Sequence, residues 1–273
     1  MKKKKKKKLK AKVSKIVLPT EKTIIAQSVY EYITLWYGPP GVGKTEFVDK
    51  LSDRTFFIST DRGTRYRLAL REEVHNWKEI WDVLKALRNQ KETTSTYKLV
   101  ALDHIDDIAL MIEDYTCDSL GIEALGDIGY AKGWRLYKKN IWLVLQEVLS
   151  LNVGLALIAH ETIKTIRTKV IETERMMPDI SKSAWKVIIP KCDLVGYMGF
   201  MRVKVRGKKR ERRIVRTSPT EHIYAKDRTR REKPEEGWEL LDGKLFAETF
   251  EVKGVTRHVK KKVKKSKKAR RNY

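Results

Sequence analysis

Cysteine is scarce in this 273-residue chain: Cys117 and Cys192 stand 75 positions apart with no paired spacing. Neither a disulfide framework nor a cysteine-based zinc site is expected, and a reducing cytoplasm is the expected compartment. The five histidines, His75, His104, His160, His222 and His258, fall in no HExxH or other metal-ligand spacing. No run of 18 apolar residues occurs, so no membrane-crossing helix is expected. The lysines at the start lead into no apolar core of a signal peptide, so no secretory signal is expected either. Repeats at solenoid or propeller periods are missing too. Acidic residues are absent from both ends: residues 1–15 hold ten lysines and residues 253–273 hold eleven Lys+Arg, with no Asp or Glu.

Of the formal net charge of +25, those two ends carry +21, which leaves +4 on residues 16–252. Self-repelling lysine blocks bury nothing, so 1–15 and 253–273 are expected to be disordered tails around one globular domain at 16–252. With 41% hydrophobic residues the chain has material for one sizeable core. It is neither wholly disordered nor histone-like.

Apolar, β-branched runs mark strands at ITLWY (33–37), TFFIST (55–60), YKLVALD (97–103) and VGLALIAH (153–160). Helical spacing marks 44–52, 76–90 and 130–151. Apolar strands alternating with helices predict an α/β fold with a mainly parallel sheet covered on both faces. The polar stretch 161–182 reads as a long loop or mobile hairpin. Beyond it, DLVGYMGFMRVKV, ERRIVRTS and HIYAKDR read as short strands, with RGKKR as a basic turn. Residues 201–233 hold fourteen Lys+Arg against four acids, a localised basic, β-rich segment.

Gly38, Pro39, Pro40, Gly41, Val42, Gly43, Lys44 and Thr45 fit G-x-x-x-x-G-K-[ST] without departure. A strand delivers such a loop, glycines let its backbone N–H groups approach phosphate, and the next helix adds its N-terminal dipole. Lys44 reaches the β- and γ-phosphates, and Thr45 offers a hydroxyl to Mg²⁺. Asp103 ends the strand KLVALD, where it can orient Mg²⁺ or its water. Asp106 and Asp107 follow one turn later and read as charges favourable to a helix N-terminus. Asp61, just past the second strand, is placed to polarise an attacking water, or is a turn residue before Gly63. His160 ends the fourth strand, where a side chain can sense the γ-phosphate; a structural histidine is the alternative.

This order of residues resembles the RecA-like P-loop ATPases. GYAKGW (129–134), LALIAHE and AKDRT narrow the resemblance to phage-encoded RecA-like single-strand annealing proteins, a group of AAA-domain ATP-binding proteins. The resemblance implies ATP and Mg²⁺ as cofactors, Asp61 as the water-activating carboxylate where glutamate is usual, and His160 as a polar sensor. It implies a finger from a neighbouring subunit at Lys226 or Arg228, and hence a homo-oligomeric ring or filament. It also implies DNA contacts in the stretch after His160, at Lys164, Arg167 and Lys169, while the basic turn adds Lys208, Lys209 and Arg210. The proline-rich loop is similar to that of AAA+ ATPases as well, but His104 stands after Asp103 where those enzymes place glutamate, and no helical lid is expected.

Three functions fit these observations. The reading adopted is a P-loop ATPase that binds nucleic acid, single-stranded DNA first, and promotes annealing or strand exchange. A small-molecule kinase would use 161–182 as a lid, and a non-hydrolysing module would only hold ATP.

Overall fold

The run ITLWY forms β1 (Ile33–Tyr37), buried throughout after its first residue. The computed structural model to which it belongs describes residues 28–61, 68–90, 96–167, 172–205, 208–229 and 238–250, so both lysine-rich ends lie outside the described residues. After β1 come α1 (Lys44–Asp49), β2 (Thr55–Ser59), β3 (Leu70–Glu73), α2 (Trp77–Asn89), β4 (Leu99–Asp103), α3 (Ile105–Leu120) and α4 (Lys132–Ser150). Next are β5 (Gly154–Ala159), β6 (Glu161–Arg167), β7 (Glu172–Pro178), α5 (Lys182–Ile188), β8 (Leu194–Val205) and β9 (Lys208–Arg216). The described part closes with β10 (Lys226–Asp227), β11 (Trp238–Leu240) and α6 (Gly243–Glu248).

Nine strands make one mixed sheet in the order β11-β9-β8-β1-β5-β4-β2-β3, with β10 also pairing β8. From β8 to β3 every pairing is parallel, whereas β9, β10 and β11 join antiparallel. This is the α/β architecture with a mainly parallel sheet expected from the strand-helix alternation. Strand β5 lies between β1 and β4, so the loop after β1, His160, Asp103 and Asp61 leave the same carboxyl edge from four neighbouring strands. That edge is where open α/β sheets bind ligands.

Strand alternation sorts the core onto two faces. Leu35, Tyr37, Val100, Leu102, Leu155 and Leu157 pack against α2, α3, α4 and α5. Trp36, Leu99, Ala101, Ala156 and Ile158 pack against α1 and α6. By the same parity Asp103 follows Leu99 and Ala101 onto the α1 face, toward the helix that carries Thr45. Trp36 anchors that face, its ring edge-on to Phe47 at 4.8 Å and Phe246 at 5.1 Å.

The structure differs from the sequence reading where pairing overrides local pattern. The polar LREE forms an edge strand on β2. Of the loop or hairpin expected at 161–182 the structure has the hairpin, β6–β7, antiparallel and in its own two-stranded sheet, with Glu161 opposite Pro178 and Arg167 opposite Glu172. In the expected turn RGKKR, Lys208 onward belongs to β9, because β8 and β9 form a long ladder from Tyr197↔Arg216 to Val205↔Lys208. HIYAKDR contributes only Lys226–Asp227 and a single bridge from Ile223 to Met176.

Candidate active site

The loop from Gly38 to Thr45 needs its glycines for two different reasons. At Gly38 a side chain would collide with the Met198 carbonyl oxygen, 2.1 Å from the position of a Cβ, because β8 passes directly against it. Gly41 (φ 75°) and Gly43 (φ 102°) hold left-handed backbone, which glycine adopts without strain. Lys44 is 6% exposed. Its Nζ donates to the carbonyl oxygens of Gly38 at 2.9 Å and Pro39 at 3.2 Å. Burial lowers the pKa of this ammonium, and Asp103, Asp106, Glu161 and Asp61 oppose that shift.

Thr45 Oγ1 donates to Asp103 Oδ2 at 2.9 Å, joining the two side chains expected at the metal. Asp103 is 1% exposed, and burial raises its pKa against the opposing pull of His104 and the Thr45 hydroxyl. Its Oδ1 is buried without a hydrogen bond; His104 Nε2 stands 3.2 Å away but outside bonding geometry. A buried carboxylate oxygen without a donor, beside a hydroxyl and a phosphate loop, suits a hard divalent cation. Among the described residues no group of three His, Cys, Asp or Glu could hold a metal alone.

Asp61, Lys44, Thr45, His104 and His160 line one cavity of about 350 Å³ together with Pro40, Gly41, Gly43, Glu46 and Arg213. The Asp61 carboxylate is about half exposed and 4.0 Å from His104 Nδ1. His160 Nδ1 lies 2.6 Å from Asp106 Oδ2, and its ring is 4.1 Å from that of His104. Asp106 therefore orients His160 rather than only favouring the α3 N-terminus. Asp107 Oδ2 accepts from Thr60 Oγ1 at 2.8 Å, which ties the end of β2 to α3. A larger cavity of about 850 Å³ opens at the opposite edge among Tyr30, Lys98, Asp49 and Asp242. It contains none of the phosphate-loop residues, so chemistry rather than size assigns the site.

The other expected residues are placed elsewhere. Lys226 Nζ donates to the carbonyls of Ile189, at 2.8 Å, and Cys192, at the end of α5. Lys226→Ala is expected to cost about 1–3 kcal/mol in urea unfolding, since two carbonyls lose a charged donor; a purely intersubunit role would leave stability unchanged. Arg228 is exposed, its backbone N–H on the Asp193 carbonyl. Lys164 Nζ donates to Ile180 O at 3.3 Å and Arg167 pairs with Glu172 at 2.9 Å. Lys209 is exposed, whereas Lys169 lies outside the described residues, as do the side chains of Lys208 and Arg210.

Sequence reasoning missed His104, Glu46, Arg213 and the link from Asp106 to His160. The Asp103/Asp106 spacing was a legible signal for the last; Arg213 had none, because it meets the loop only through the β8–β9 hairpin.

Residues 31–229 match the family model described as AAA domain. No curated protein matches the chain at a significant level.

Proposed function

Because the chain belongs to the AAA-domain family, whose domains are nucleotide-binding P-loop ATPases, we propose that it is a Mg²⁺-dependent ATPase acting on single-stranded DNA. The observation that carries this reading is the contact between Thr45 and Asp103 beside the folded-back Lys44. In the proposed reaction the β- and γ-phosphates take over the Lys44 ammonium from the Gly38 and Pro39 carbonyls. Thr45 and Asp103 would hold Mg²⁺, which supplies charge neutralisation on the phosphates when bound. Asp61 orients the attacking water and accepts its proton, with His104 beside it. His160, held by Asp106, reads whether a γ-phosphate is present. Arg228 of a neighbouring copy completes the charge on the transferring group, so the active form is a ring or filament.

The nucleic-acid part rests on the basic segment 201–233, the lysine-rich ends and the resemblance to phage annealing proteins, which also supports a role in recombination in the cytoplasm. Among the described residues no helix is long and apolar enough to cross a membrane.

The deciding experiment is ATP turnover by the full chain at moderate salt, alone, with single-stranded DNA and with duplex. Stimulation of about tenfold or more by single strands is the expected result. Turnover indifferent to DNA would favour phosphotransfer to a small molecule, and binding without turnover a nucleotide-gated module. Sedimentation with nucleotide and DNA tests the assembly: a chain that stays monomeric removes the intersubunit finger.

A further inference from the structure

Strands β8 and β9 do not stop at the edge of the parallel sheet. The last β1 residue, Tyr37, pairs with Tyr197, whereas the β8–β9 ladder runs eight residues further to Val205. Arg213, opposite Phe200 on this extension, is thereby carried past the phosphate loop. Its Nη1 lies 3.6 Å from Glu46 Oε2 and 3.0 Å from where a Cβ on Gly43 would stand. Leu241 Cδ2 is 3.8 Å from the same point, and the Leu241 N–H donates to the Arg213 carbonyl at 3.1 Å. Leu241 lies beyond the part of the chain that matches the family model.

The polarity of the phosphate loop gives these contacts a meaning. Its backbone N–H groups cradle the α- and β-phosphates, and the lysine reaches the β- and γ-phosphates. Lys44, Asp61 and His160 thus mark the γ end of the cavity, while Gly43 and Glu46 flank the α end. Arg213 stands at that α end, its guanidinium held against a carboxylate that an incoming phosphate can replace. A guanidinium matches phosphate with paired N–H donors, and Leu241 adds an apolar wall on the nucleoside side.

We infer that the C-terminal extension closes the nucleoside end of the site, with Arg213 as a clamp on the α-phosphate supplied by the same chain and Leu241 facing the nucleoside. The inference rests on the nucleotide-binding reading above and is independent of DNA. Because no bond to the α-phosphate forms or breaks in the reaction, a clamp at that end binds ground state and transition state alike. Arg213 in this role is no finger: it sets affinity and leaves the chemical step alone.

The test is calorimetric titration of the full chain with ADP and with ATP, plus steady-state turnover. Arg213→Ala is expected to weaken both nucleotides by the same factor, about tenfold, and to raise KM with kcat within about twofold. Arg213→Lys is expected to fall between, since it keeps the charge and loses the fork. Glu46→Gln frees the guanidinium and is expected to tighten both nucleotides in the presence of Arg213, with a smaller gain in the Glu46→Gln, Arg213→Ala double variant. Arg213 is half exposed, so an unchanged melting curve serves as the folding control. Affinities unchanged in Arg213→Ala would overturn the clamp, as would a loss confined to ATP and kcat, the mark of a γ-phosphate finger. A wild-type chain that binds neither nucleotide overturns the nucleotide reading and the clamp together.

Discussion

Lys44→Ala is expected to lower ATP turnover by about 10²–10³-fold, the range lost when a single preorganised donor to developing charge is removed. The ammonium is buried to 6% exposure and already aimed across the loop mouth by the Gly38 and Pro39 carbonyls. The cavity's electrostatics add a second cost. Asp103, Asp106, Glu161 and Asp61 all support the charged lysine, so its removal takes away a positive charge that each of them attracts. Nucleotide binding should weaken along with turnover, and both are measurable on the same preparation. Retention of a tenth or more of the wild-type rate would show that hydrolysis occurs elsewhere or comes from a contaminant.

Asp103→Asn is expected to separate stability from activity. Turnover should again fall by about 10²–10³-fold, because a neutral amide cannot serve a hard cation as the carboxylate does. The nucleotide-free protein, in contrast, should become more stable by about 1–2 kcal/mol. The carboxylate is 1% exposed and one oxygen has no hydrogen bond, so its charge is buried at a cost that an amide of the same shape escapes, while an amide oxygen still accepts from Thr45. For a domain of this size that is a rise in Tm of roughly 2–8 °C. The pH dependence has a definite sign. Burial raises the Asp103 pKa, so the folded state holds this proton to higher pH than the unfolded state does. The penalty is full above the folded pKa and disappears as pH falls to the unfolded carboxylate's value of about 3.9. The advantage of the asparagine variant should therefore be largest above the folded pKa and vanish on acidification. A variant that melts below the wild type at neutral pH would mean that Asp103 is a structural anchor.

Much of the architecture was legible because it depends on local periodicity. Continuous apolar runs bounded by glycine or charge can bury both faces only as central parallel strands, and β1, β2, β4 and β5 arose from four such runs within two residues of their expected ends. The α2 helix begins after Asn76, whose side chain accepts from the Glu79 N–H as a cap should. The edge strand β3 was illegible for the opposite reason. LREE has no strand pattern of its own and is extended only because β2 offers it a row of backbone partners. The hairpin β6–β7 was legible only as one of two alternatives, a loop or a hairpin, because its ladder from Glu161 to Arg167 and its docking by the Met176 N–H on the His222 carbonyl depend on partners outside the local pattern.

The candidate site divides along the same line. By itself the sequence determined the phosphate loop, the strands whose carboxyl ends deliver Asp61, Asp103 and His160, and the concentration of positive charge at residues 201–233 and the chain ends. These follow from residue type, spacing and alternation, which act over a few neighbouring positions. Only the tertiary structure decided that Asp103 meets Thr45, that Asp106 holds His160, that Lys226 is engaged at the end of α5, and that Arg213 lies across the phosphate loop. Those pairs are separated by 58, 54, 34 and 167 residues or thereabouts. No local preference selects such partners; the order of strands in the sheet and the length of the β8–β9 ladder bring them together.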